Sequence, residues 1–272
     1  MSDLPPSRFI SRLDILGRGA TAWAFKLDQD IALKYVRKGR LKEFQAENEM
    51  YDLFEKHRPS PYIVHSFFRL PGLNFMQLMS SGLDQRIYSN QRHSLGLVQG
   101  DLRPRNILLD VGDHLKLADF DCVAKVGSKN PGNPPPWVCL GPRDGFGMYR
   151  TTSELFTFGS ILYNLTHGCE PYEELDLDGN EVVELLRLMK FPELSQSVLD
   201  EVTHRCWYGE YESLADLASE MANLDGAKAA PRAVLSDENH IAQMRDRCCQ
   251  FLTGSLAGIG IAAVSNGEEE RA

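Results

Sequence analysis

No run of about 18 or more apolar residues occurs in the chain, so no segment reads as a membrane-spanning helix. The nearest stretch, residues 251–264, is too short and is rich in Gly, Ser and Ala. It reads as a C-terminal tail, with a membrane contact as the alternative. No Cys-x-x-C pair and no zinc-like Cys/His spacing occurs among the 6 cysteines, and adjacent Cys248 and Cys249 read as helix packing residues rather than a redox pair. Residues 1–12 hold two prolines and no apolar run, so no secretory signal is expected. Reduced thiols and an intracellular location, cytoplasmic or nuclear, follow as the expectation. Positive charge is also scarce. With 29 Lys and Arg against 38 Asp and Glu, the net charge is −9, and the pI is about 5.3. That excludes the basic field a nucleic-acid surface needs. The basic cluster Arg37, Lys38, Arg40 and Lys42 is broken by Gly39 and Leu41 and reads as a solvated turn. Neither nucleic acid nor a membrane is an expected partner.

What is present suffices for a sizeable core: 272 residues, 43% of them hydrophobic, make one or two compact units. Residues 9–16, 23–27 and 31–36 read as three strands of an antiparallel meander. Residues 41–57 show helical period, with Phe44, Met50, Tyr51 and Phe54 near one face, and Pro59 and Pro61 end it. Residues 63–70 and 73–79 are two more strands across Pro71-Gly72. A hairpin follows at 107–109 and 114–118, turning at Asp110-Val111-Gly112-Asp113. Residues 127–150 form a Pro-rich loop too long to be idle. The rest is helical. Residues 152–167 are apolar almost all round, which marks a buried helix closed by Gly168. Amphipathic helices are expected at 181–189, 197–207 and 237–252, and 225–234 reads as a linker.

Seven residues carry the candidate chemistry. Gly17 and Gly19, between paired strands, let backbone N–H groups approach a phosphate, although a tight hairpin alone would explain them. Lys34 is a cation flanked by apolar residues on a strand, the setting of a phosphate-pairing lysine. Of the carboxylates on the next helix, Glu47 is better placed than Glu49 to hold it, because Tyr51 lies one turn on as a packing residue. In Asp101-Leu102-Arg103-Pro104-Arg105-Asn106, Asp101 can reach an acceptor hydroxyl while Asn106 holds a metal. Beyond the hairpin, Asp119 in Asp119-Phe120-Asp121 supplies a carboxylate for Mg²⁺, which takes few protein oxygens plus phosphate oxygens.

On these motifs the chain resembles the protein kinase superfamily over about residues 9–224. It looks most like short, divergent fungal kinase-like proteins in GDLRPRNILLD, KLADFD and SELFTFGSILYNLTHGCEPYEE. The resemblance implies an α+β, bilobal fold: a small antiparallel-sheet lobe with one helix at 1–79, a larger helical lobe at 80–224, and a linker and tail at 225–272. It implies ATP in the cleft near the hinge at Gln77 and Met79, with Met76 as gatekeeper, and Arg103 where Ser/Thr kinases carry a lysine that touches the γ-phosphate.

The pattern has departures. Ala22 replaces the third glycine of the loop, Gln99-Gly100 replaces His-Arg before Asp101, and Asp121 replaces the glycine after Phe120. No A-P-E is readable before Thr152, where Gly141-Pro142-Arg143-Asp144 is a poor stand-in. Two helices of about 11–12 residues with their connections need roughly 35 residues between hinge and catalytic loop, more than residues 80–97 supply. The chain is then a truncated gene product, the preferred explanation because both flanks remain kinase-like, or a degenerate relative. Residues 237–252 are the candidate to cover the buried helix instead. The leading reading is ATP-dependent protein Ser/Thr phosphorylation of a substrate the sequence does not name. Phosphorylation of Ser128, Thr151 or Thr152 is not expected to be required, because Gly100 leaves no basic partner beside Asp101. The alternatives are a pseudokinase or interaction module, and a small-molecule phosphotransferase, whose families also show G-D-x-x-x-x-N followed by D-F-D.

Overall fold

The computed structural model describes residues 13–57, 59–82, 97–129, 134–138, 148–225, 227 and 233–257. The strands are β1 (Asp14–Arg18), β2 (Ala22–Lys26), β3 (Ile31–Val36), β4 (Ser66–Leu70), β5 (Leu73–Gln77), β6 (Ser81–Gly82), β7 (Leu97–Val98), β8 (Ile107–Leu109), β9 (Leu115–Leu117) and β10 (Ala124–Lys125). The helices are α1 (Leu41–His57), α2 (Thr151–His167), α3 (Gly179–Arg187), α4 (Val198–Trp207), α5 (Leu214–Ala222) and α6 (Glu238–Thr253). This is the α+β class. The chain divides into two compact units, one of Met1–Ser81, Leu109–Asp121 and Arg232–Ala272, the other of Gly82–Leu108 and Cys122–Pro231.

The first unit is built on a five-stranded antiparallel sheet in the order β1-β2-β3-β5-β4. Period-two alternation sorts its side chains onto two faces. Trp23, Phe25, Ile31, Leu33, Phe67, Leu73 and Phe75 form one apolar layer. Ala22 and Val36 point the other way and pack on Leu41 and Phe44 of α1. The first layer is closed by α6, which contributes Met244 and Cys248, and by Leu256 just beyond it. Strand β4 begins later than the sequence suggests, because Ile63 bridges Leu117 rather than β5.

The second unit centres on α2. Leu155, Phe156, Ile161, Leu162 and Tyr163 are all buried, as a helix apolar nearly all round requires. Gly168, at φ 76°, ends it in the left-handed conformation. Leu155 and Leu162 pack on Val202 and Cys206 of α4 and on Leu217 and Met221 of α5. Phe156 and Tyr163 meet Leu186 of α3 and Trp207 of α4. The expectation that residues 237–252 cover α2 is therefore corrected: α4 and α5 pack on it, and α6 spends its apolar face on the sheet of the first unit. Helix α5 was not among the expected elements. Strands β7 and β10 pair antiparallel, Val98 with Ala124.

Among the described residues, no helix is long and apolar enough to cross a membrane. The expected shortening between residues 80 and 97 falls largely outside the described residues, as do 1–12 and the Gly141-Pro142-Arg143-Asp144 segment.

Candidate active site

In the first unit, α1 presents Leu41, Phe44, Glu47, Tyr51 and Phe54 to the interior. Glu47 is the one acid in that stripe and is fully buried. A lone buried carboxylate would be strongly unfavourable. Here the Lys34 ammonium on β3 donates to both its oxygens, at 2.7 and 2.8 Å. The same ammonium donates to Asp119 Oδ1 at 2.7 Å. Burial pushes the Lys34 pKa down, but Glu47 and Asp119 outweigh it and hold the ammonium above its usual range. Lys34 thus stays charged between two carboxylates. Glu49, by contrast, is exposed.

Asp119 sits at φ 60°, a left-handed conformation that Asp tolerates better than most residues. The next residue explains how it is held. The Phe120 ring is buried edge-on against Tyr51 and Phe54 of α1, with centroids 5.3 and 5.2 Å away, and its N–H donates to Glu47 Oε1 at 3.3 Å. Asp119 is thereby pinned to the helix that carries Glu47.

The glycine turn precedes β2. Gly19 N–H donates to the Ala22 carbonyl at 2.8 Å, and an added Cβ on Gly17 would meet nothing within 4 Å. Arg37 donates to the carbonyls of Gly19 and Ala20, at 2.9 and 3.2 Å. The turn reading of the basic cluster holds for Lys38 and Arg40, which are exposed, while Arg37 is half-buried and braces the glycine turn. Thr21 Oγ1 donates to Asp121 Oδ2 at 3.2 Å, tying this turn to the residue in the place of the expected glycine. At the end of β5, Met76 is buried, Gln77 N–H donates to the His65 carbonyl at 2.8 Å, and Leu78 N–H donates to the Asp30 carbonyl at 2.7 Å. Gln77 and Met79 flank that second bond.

The second unit holds the other expected group. Asp101 and Asn106 are both buried. The Asn106 amide nitrogen donates to the Asp101 main-chain oxygen at 2.8 Å and to its Oδ2 at 2.9 Å. Arg103 Nη2 donates to the same Oδ2 at 2.6 Å. A short 3-10 turn, Pro104–Asn106, brings the residues back on one another. The loop is anchored to α2, where buried Glu154 accepts the Gln99 N–H at 2.6 Å. Gly100 has φ 80°, and an added Cβ would lie 2.3 Å from the Cys122 carbonyl oxygen and 2.7 Å from the Tyr149 hydroxyl. An arginine cannot stand there without moving both. Tyr149 fills the space and donates to the Gly100 carbonyl at 3.3 Å.

A family model described as protein tyrosine and serine/threonine kinase matches residues 31–221, a span holding Lys34, Glu47, Asp101, Asn106 and Asp119. The chain belongs to the protein kinase family. This kinase-family chain is 26% identical to Citron rho-interacting kinase of Rattus norvegicus over 216 residues, 73% of this chain and 10% of that protein. It is 30% identical to serine/threonine-protein kinase GIN4 of Saccharomyces cerevisiae over 177 residues, 62% of this chain and 13% of that one. It is 24% identical to tyrosine-protein kinase receptor svh-2 of Caenorhabditis elegans over 271 residues, 79% and 24% respectively. It spans about a tenth of the length of the first curated relatives it matches.

Three contributors within the kinase-family framework escaped sequence reasoning: Arg37, Tyr149 and the Thr21–Asp121 bond. For Arg37 a signal existed. Val36 pairs with Ala22, so the residue after β3 must lie beside the residues before β2. For Tyr149 none did, since it approaches Gly100 only through the tertiary fold.

Proposed function

We propose that this chain is an ATP-dependent protein kinase domain acting on Ser/Thr hydroxyls. The observation that carries the reading is the Lys34 ammonium held between Glu47 and Asp119. Such a preorganised cation needs little reorganisation to meet the phosphates of a nucleotide. Gly17 and Gly19 would admit the phosphates, and the main chain at Gln77 and Met79 would face the adenine.

Each unit offers one donor of the kind Mg²⁺ takes. Asp119 and Asn106 are hard oxygen donors, and the Asn106 amide, with its nitrogen committed to Asp101, turns its oxygen the other way. Mg²⁺ when bound would offset the charge of the phosphates. Asp101 would orient the acceptor hydroxyl and take its proton as the oxygen attacks the γ-phosphorus and the bond to the leaving diphosphate oxygen breaks. Arg103 would offer its guanidinium to the transferred group.

A thermal-shift titration tests the reading. ATP with Mg²⁺ is expected to stabilise the wild type and to leave Asp119→Ala unmoved; an equal response from both would overturn it. Peptides with Ser, Thr or Tyr as acceptor then test the acceptor preference.

One observation favours binding without transfer. Arg103 occupies the Asp101 oxygen that would receive the proton. A nucleotide response with no transfer to any acceptor, unchanged by Asp101→Asn, would establish that second reading.

A further inference from the structure

The β2–β3 turn is held from two sides. Within it, Asp28 Oδ1 accepts the N–H groups of Asp30 and Ile31, both at 2.8 Å. From outside, Arg247 of α6 donates to Asp28 Oδ2 and, at 2.7 Å, to Asp30 Oδ2. Asp30 then passes the restraint on, because its carbonyl accepts the Leu78 N–H at 2.7 Å. The next residue, Ile31, is in register with Gln77. One residue therefore has its side chain held by the C-terminal helix and its main chain holding the segment between Gln77 and Met79.

The position of α6 excludes a direct role. Its buried residues join the sheet face formed by Phe25, Leu33 and Phe75, whereas Lys34 alternates onto the face that carries α1. An effect of Arg247 on a nucleotide must travel through the turn. The seat of the helix does not depend on that arginine: Met244 and Cys248 are in the core, and Arg245 Nε donates to the Phe67 carbonyl at 2.9 Å. Without Arg247, two carboxylates two residues apart would face each other across the turn with no cation between them.

We infer that Arg247 is a positioning residue that sets the Leu78 main chain, and with it the Gln77–Met79 segment that receives the adenine of a nucleoside triphosphate. The inference rests on the nucleotide reading of that segment, and the experiment separates the two. The full chain is compared with Arg247→Ala and Arg247→Lys in two measurements. One is amide exchange at Leu78 and residues 28–31, with Leu33 and Phe75 as sheet references. The other is the thermal response to ATP–Mg²⁺ and to inorganic triphosphate.

In Arg247→Ala, Leu78 exchange is expected to rise about tenfold, the equivalent of one charge-assisted hydrogen bond. Leu33 and Phe75 should stay protected. ATP affinity should fall while the triphosphate response holds, and Arg247→Lys should recover part of both losses. Unchanged Leu78 exchange would overturn the inference, as would a uniform rise that includes Leu33 and Phe75, which marks simple undocking of α6. An Arg247-dependent Leu78 in a chain that never responds to ATP would support the positioning role and overturn the nucleotide reading alone.

Discussion

Glu47 and His65 are both ionisable groups under the sheet of the first unit, and they are handled in opposite ways. Burial pushes the Glu47 carboxyl above its ordinary range while Lys34 pulls it back, and both the Lys34 ammonium and the Phe120 N–H donate to it. His65 is half-buried against Phe67, with centroids 5.1 Å apart, and its buried Nε2 has no hydrogen-bond partner among the described residues. Burial drives its pKa down from 6.5 to about 4; Glu55 pulls the other way, and Lys116, Arg245 and Arg69 add to the lowering. The sign follows from proton counts. Below 6.5 the unfolded chain protonates this histidine while the folded one does not, so stability is present above 6.5 and is lost as pH falls toward 4. The loss amounts to about 3 kcal/mol at most. Urea unfolding between pH 7 and pH 4 should show the wild type losing more than His65→Phe by this amount. Parallel curves would sink the assignment.

Helix α2 shows what a buried element demands of each position. Gly159 lies mid-helix, where glycine is unfavourable by about 1 kcal/mol against alanine. The fold accepts this because α4 passes close: an added Cβ would lie 2.7 Å from Cys206 Cβ, 3.2 Å from the Thr203 carbonyl oxygen and 3.2 Å from Trp207 Cδ1. Two of these atoms belong to packed side chains and one to the backbone of a helix, so none yields easily. Gly159→Ala is expected to destabilise by about 1–3 kcal/mol in spite of its better propensity. Chemical denaturation checks the sign, and a stabilised variant would mean that α2 and α4 can separate cheaply. The same crowding anchors Ser160, which accepts from Trp207 Nε1 at 3.0 Å.

At the scale of the whole molecule, the C-terminal segment completes the first unit. Met244, Cys248 and Leu256 are buried in its core, with Phe251 and Leu252 packed against it. At about 1.5–3 kcal/mol per buried side chain, losing them removes several kcal/mol, a large share of a domain's typical ~5–15. A chain ending at residue 224 should therefore lose protection across β4 and β5 in hydrogen exchange, and native-like protection there would show that the sheet is stable without α6. The kinase-type identity was legible in the sequence because Lys34, Asp101, Asn106 and Asp119 stand at spacings that chemistry restricts, whatever surrounds them. Strands β1 to β5, β8 and β9, with α1, α2 and Glu47, were legible from the apolar period, since period two and period 3.6 are local properties, whereas the two-residue strands β6, β7 and β10 carry no period to read. Short α5 was not, because nine residues give a weak period and the helix gains its stability from packing on α2 and α4. Which surface α6 covers was beyond the sequence for a related reason: an apolar stripe states that a partner exists, and any apolar face satisfies it. Only the tertiary structure chose the sheet over α2, by bringing Arg247 to Asp28 and Asp30 and Arg245 to the Phe67 carbonyl, contacts between residues far apart in the chain that no local pattern encodes.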